Sequence, residues 1–273
     1  MSKTNYLLKH VKMFLLSLII LLTTLIVVLR LTVLNKSFVK RQFSEAHYQK
    51  VENNLKEQMK ASMMSSGINT SVIDNMFTTS DIRNTTNQVI DIIYNYHHQK
   101  LDTTKIQTKL EANVQEDLQK HNYQLEDEKG YQEFINSTMK IYRNEFTMLN
   151  KIETVGQIAT SVIKITTVLS IFLTMSLILL ILLRSKIMKE LLPVPLLTTS
   201  ILILFGSYYI NKTAGLSSIT IFSVTFSDIL RNMIDKTFMC YKVISIIYII
   251  IAVFIHLFLV KKHHHRHRHH HSK

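Results

Sequence analysis

Four apolar runs stand out along the chain, at residues 13–34, 165–183, 191–210 and 243–260. Each approaches the roughly 20 residues that a helix needs to cross a bilayer. The pattern therefore predicts an all-α integral membrane protein with transmembrane helices at 13–34, 161–184, 191–210 and 243–260. The first run is longer than the roughly 7 to 15 apolar residues of a signal peptide, and no small-x-small cleavage site follows it, so it reads as an uncleaved anchor.

The segment between the first two runs, 35–160, is polar but patterned. Val39, Phe43, Val51, Leu55, Met59 and Met63 recur at multiples of four, with His47 filling the missing step, which sets one slowly drifting helical face. The first glycine is Gly67 and the first proline Pro193, so residues 1–66 are expected to form one helix from the first span outward, stopping at Gly67. Asn69, Thr70 and Ser71 offer cap oxygens to a short turn through Ile73 and Phe77. Ser80 or Asp81 is expected to cap a helix carrying Ile82, Val89, Ile93 and Tyr96, and Asp102 a helix carrying Ile106, Leu110, Val114 and Leu118.

After a polar break at 126–130, Phe134, Ile135, Met139, Tyr142, Phe146, Leu149 and Ile152 follow a near-heptad, coiled-coil pattern. Only Gly156 interrupts the way from there into the second span. Residues 35–66 and 131–164, 32 and 34 residues long, would each rise about 50 Å as helices. That match favours an antiparallel stalk standing on the first two spans, with a compact four-helix bundle as the alternative. Between the last two runs, 211–242 reads as a loop, apolar enough at Ile219, Ile221, Phe222, Val224, Phe226 and Ile229 to lie in the interface. Pro193 and Pro195 at the start of the third span, with Gly206 near its end, make that helix the one expected to bend.

Charge orients the spans. Residues 35–160 hold 15 Lys/Arg against 16 Asp/Glu, leaving 17 basic and 3 acidic residues, a net of +14, elsewhere. The excess lies in the N-terminal tail 1–12 (Lys3, Lys9, Lys12), the turn 185–190 with Arg184 at its edge (Lys186, Lys189), and the tail 261–273. Four spans put these three segments on one side, and the positive-inside rule makes that side cytoplasmic. The reading is a multi-pass protein of the plasma (cytoplasmic) membrane with both termini inside and 35–160 outside. The single cysteine, Cys240, excludes an internal disulfide, so the outer segment must be held by packing. A cysteine-free exterior, abundant Lys, Ile and Asn and no Trp suggest the envelope of a Gram-positive bacterium. In so Asn-rich a chain, the N-x-S/T triplets at Asn35, Asn69, Asn84, Asn136 and Asn211 read as chance.

The densest chemical signal is the tail, with His263, His264, His265, His267, His269, His270 and His271 around Arg266 and Arg268. Imidazoles at this density bind Zn²⁺, Ni²⁺ or Cu²⁺, and the basic residues favour anionic lipid. The plainer reading is a disordered polybasic anchor for the last span, so these histidines stay weak candidates and no metal site is assigned. The interleaved arginines and the trailing Ser272 and Lys273 argue against a purification tag.

Within the spans, His256 is a functional candidate because hydrocarbon penalises its charge, although a neutral imidazole bonded to a neighbouring helix is the ordinary alternative. Arg30 and Lys164, near the outer ends of the first two spans, can snorkel to the headgroups. The spans hold no Asp or Glu, which weighs against proton or cation coupling. Met59, Met63, Met64 and Met76 read as packing residues rather than a copper patch, and His97–His98 has no partner at ligand spacing. Scattered glycines exclude a phosphate-cradling loop, no catalytic constellation or cofactor motif can be singled out, and basic residues confined to membrane flanks do not suit nucleic acid.

The expected role is non-enzymatic: an accessory or scaffold subunit whose outer stalk couples to a membrane protein partner, or to a second copy of the chain, in a secretion, export or wall-related complex. Two alternatives stand beside it. One is a small transporter or channel using Thr23, Thr24, Thr166, Thr167, Ser170, Thr174, Ser176, Thr198, Thr199 and Ser200 as a polar path. The other is an envelope sensor or toxin-immunity protein.

Overall fold

The computed structural model describes residues 3–63, 69–95, 101–121, 128–146, 152–183, 191–213 and 224–270. Every regular element among them is a helix. Four of the helices are long and apolar enough to cross a membrane: α1 (Lys3–Leu31), α7 (Ile152–Leu183), α8 (Pro193–Thr213) and α9 (Val224–His270). The protein is all-α with the marks of a membrane-embedded, multi-pass chain. It divides into two compact units, a span unit of Met1–Asn35, Ile163–Ile219 and Arg231–Lys273, and a bundle unit of Lys36–Val162 and Thr220–Leu230.

The bundle unit is built from α3 (Glu45–Met63), a 3₁₀ turn (Thr70–Ile73), α4 (Thr79–Tyr94), α5 (Thr104–Lys120) and α6 (Glu128–Phe146), with the short α2 (Lys36–Lys40) lying on α4. Helix α3 packs against α4 and α6, and the 3₁₀ turn lies against both α3 and α5. One core joins Val51, Leu55, Met59 and Met63 of α3, Ile82, Val89 and Ile92 of α4, Ile106, Leu110 and Val114 of α5, and Ile135, Met139, Tyr142 and Phe146 of α6. Ile73, Met76 and Phe77 plug it from the turn, all fully buried. Each such side chain contributes roughly 1.5–3 kcal/mol by leaving water, and Met59, Met63 and Met76 are core packing, as expected.

Two expectations about long helices are corrected. Residues 1–66 do not form one helix: α1 ends at Leu31, α2 covers only Lys36–Lys40, and α3 begins at Glu45. The missing glycine and proline removed only the strongest breakers. A short polar side chain starts the next long helix afresh, because Ser44 Oγ accepts the His47 N–H at 3.3 Å, capping α3. At 19 residues, α3 rises about 28 Å, little more than half the stalk length. The apolar stripes of α4 and α5 would stay wet on a two-helix stalk. Folded among α3 and α6, they are covered.

The Gly67 stop, Met64, Tyr96, His97–His98, the 185–190 turn and the junction at 147–151 lie outside the described residues. Helix α7 does pass through Gly156 unbroken, and α8 starts on Pro193, where a missing N–H is harmless. The second correction concerns 211–242. Its last part, 224–242, is helix rather than loop, continuous with the fourth span in α9, because no glycine or proline interrupts residues 224–270. The apolar window accordingly widens to Ser227–Leu259.

Candidate functional site

In the span unit, α1, α8 and α9 meet along a seam of small and hydroxylated residues. Their buried positions recur at three- and four-residue steps: Leu16, Ile20, Thr24 and Val28 on α1, Leu196, Thr199, Ser200, Ile203 and Ser207 on α8, and Tyr241, Ser245 and Ala252 on α9, with the half-buried Tyr248 packed beside them. Small residues let helix backbones approach where lipid supplies no hydrophobic drive. Three hydrogen bonds tie the seam across helices. Thr199 Oγ1 donates to the Ser17 carbonyl at 3.1 Å, Tyr241 donates to the Leu25 carbonyl at 2.9 Å, and the Thr24 and Tyr248 hydroxyls lie 2.8 Å apart. Thr24 gives its one proton to the Ile20 carbonyl at 2.7 Å, so Tyr248 is the donor to Thr24. A shallow groove of about 200 Å³ opens beside the seam between α1 and α8, with His10, Met13, Ser17, Val194 and Thr198 in its walls.

Helix α7 contrasts with these three. Only 6% of its Gln157–Ser176 window is buried, and Leu173 is the one buried hydrophobic residue described there. Ile165, Val168, Ile171, Phe172 and Met175 are exposed. On this largely exposed helix Thr166 and Ser170, both half-buried, and the exposed Thr174 fall at four-residue steps, a small-xxx-small spacing of the kind helices use to pack in membranes.

The charged centre of the bundle unit is Asp81. Its carboxylate, 8% exposed, accepts Lys105 at 3.1 Å, Lys109 at 3.0 Å and the Thr78 N–H at 3.1 Å. Burial opposes its charge, but the bonds from Lys109, Lys105 and Thr78 outweigh burial and hold its pKa at about 2. Thr78, not Ser80 or Asp81, is the N-cap of α4, and Asp81 sits three residues on as the acid of a capping box. Thr85 donates to the Asp81 carbonyl at 2.9 Å and lies 2.8 Å from the Tyr142 hydroxyl, a second threonine fed by a tyrosine. Burial pushes the Tyr142 phenol up to about 12. Alongside, Glu52 takes Lys56 at 2.6 Å and the Thr79 hydroxyl, while Lys56 stands 5.6 Å over the Phe77 ring. His47, in the apolar stripe, is lowered to about 4 by burial and then by Lys50, against the pull of Asp228.

The residues singled out from sequence fall apart onto different helices. Arg30 is half-buried, one residue from the end of α1, and Lys164 is exposed on α7. His256 is exposed on α9 rather than bonded against a neighbouring helix. Ile255 takes the inward position beside it, packing with Ala252. Asp102 accepts the Thr104 N–H at 2.9 Å one residue before the cap of α5, and Cys240 is a free, half-buried thiol. Among the described residues no three His, Cys, Asp or Glu side chains gather as a metal site.

Sequence reading missed the seam and the Asp81 clamp. Two signals were present: the Thr78-x-x-Asp81 spacing of a capping box, and tyrosines inside an apolar run, whose hydroxyls must find acceptors. No protein-family model, curated protein or solved structure matches this chain.

Proposed function

We propose that the chain is a non-enzymatic accessory or scaffold subunit of a bacterial cell-envelope complex. In this reading it lies in the plasma membrane with both termini cytoplasmic and 35–160 outside, α1, α8 and α9 form its own membrane core, and α7 is the helix that takes a membrane protein partner. The observation that carries the reading is the largely exposed α7, on which Thr166, Ser170 and Thr174 recur at four-residue steps, in a chain whose other three spans are tied to one another by hydrogen bonds. The outer bundle, attached through α7, would pass its own docking or movement to that partner.

The transport alternative draws less support. Thr24, Thr167, Ser170, Ser176, Thr198 and Ser200 all donate to carbonyls four residues back in their own helices, so these hydroxyls serve the helices rather than a polar path.

A photo-cross-linking amino acid placed at Ser170 in native membranes is expected to capture one discrete membrane protein. The same probe at Phe172, roughly 200° around the helix, should give only diffuse lipid adducts. Equal, lipid-only labelling at both positions, together with a chain that purifies without a partner from mild detergent, would remove the reading.

A further inference from the structure

The groove beside the seam carries an inference that the scaffold role does not use. It lies within the span unit, between α1 and α8. Met13, Ser17 and Leu21 of α1 line it at four-residue steps, and so do Val194, Thr198 and Leu202 of α8, so the two helices run along it as walls. The hydroxyls in those walls give their protons to their own helices: Ser17 Oγ donates to the Met13 carbonyl at 2.9 Å and Thr198 Oγ1 to the Val194 carbonyl at 2.9 Å. Such walls suit an occupant that is apolar along its length.

The length of the groove and the charge at one end of it say which occupant. From His10 to Leu21, both in its lining, α1 rises about 16 Å, close to half of a hydrocarbon core about 30 Å thick. A volume of about 200 Å³ drawn out over that length takes one extended chain, and not a helix about 10 Å across. The span of α1 begins at Lys9, so the His10 end of the groove lies at headgroup level. Lys9 and Lys12, both exposed, flank His10 within one turn, and residues 1–12 contain no Asp or Glu. Lysines at the edge of a span reach the headgroups.

We propose that the groove binds one anionic phospholipid, with an acyl chain lying between α1 and α8 and the phosphate held by Lys9 and Lys12. The leaflet is the one that the start of α1 meets, cytoplasmic in the orientation proposed above. The preference for an anionic headgroup follows from the two lysines, each worth about fivefold in affinity for anionic lipid when it stands at a membrane surface. A zwitterionic lipid with the same chains fills the slot without that gain.

Native mass spectrometry of the full chain in mild detergent, titrated with phosphatidylglycerol or phosphatidylcholine of identical acyl chains, tests the site. The parent is expected to hold one phosphatidylglycerol about tenfold or more tightly than phosphatidylcholine. Lys9→Gln/Lys12→Gln should bring the two lipids within about twofold of each other. Thr198→Phe, which fills the slot, should weaken phosphatidylglycerol about tenfold. Val253→Phe places the same ring on an exposed position of α9 and should leave binding within about twofold of the parent. A parent that holds the two lipids alike, a preference that survives loss of both lysines, or a Thr198→Phe variant that binds no more weakly than Val253→Phe overturns the proposal.

Discussion

At the scale of single residues, Asp81 shows how a cap can become a clamp. It begins as the acid of a local Thr78-x-x-Asp81 box and then gathers Lys105 and Lys109 from the next helix, so one carboxylate fixes the start of α4 and binds it to α5. Its ordinary pKa of 3.8 falls to about 2 in the fold. A depressed carboxylate adds stability that is fully present above the unfolded value and is lost as pH falls from about 4 toward 2. Because Lys105 is 72% exposed, water screens part of the attraction, and Asp81→Asn should cost about 1–2 kcal/mol rather than the full value of the shift. The expected readout is faster hydrogen exchange of α4 and α5 amides at neutral pH, with the difference from the parent shrinking near pH 2. The box itself was readable from sequence. The lysines were not, since they stand 24 and 28 residues away and only packing of α5 brings them near.

At the scale of elements, apolar periodicity carried far where each helix buries one stripe. Leu55, Leu110 and Met139 sit fully buried where four- and seven-residue spacing put them. It failed at helix ends. Ser44 and Thr78 set boundaries through hydrogen bonds of their own side chains, and such bonds are too local and too common in a Ser/Thr-rich chain to be singled out in advance. In the spans the same residues act in packing. The Tyr248 to Thr24 bond joins α9 to α1, and a double-mutant cycle of Tyr248→Phe and Thr24→Val should show a coupling of about 0.5–1 kcal/mol. Steric-trapping or detergent-unfolding measurements would read it, and a coupling indistinguishable from zero would make the contact incidental.

At the scale of the whole molecule, the proposed topology has a direct test. On a Cys240→Ser background, a membrane-impermeant maleimide added to intact cells should label Asp102→Cys and leave Lys9→Cys untouched until the cells are opened. The reverse pattern would invert the proposed orientation. Sequence by itself determined that the chain is helical and carries four apolar helices, because runs of about 20 apolar residues have few physical alternatives to a membrane helix. On α3, α5 and α6 apolar spacing also marked much of the face that turns inward, as at Leu55, Leu110 and Met139. Tertiary structure decided which stripes share a core, since equal-looking stripes on α3, α4, α5 and α6 cannot say from spacing alone whether two helices pair as a stalk or four close as a bundle. It also decided that α1, α8 and α9 hold one another while α7 stays bare, because apolar residues facing lipid and apolar residues facing a helix have the same hydropathy and differ only in what lies across from them.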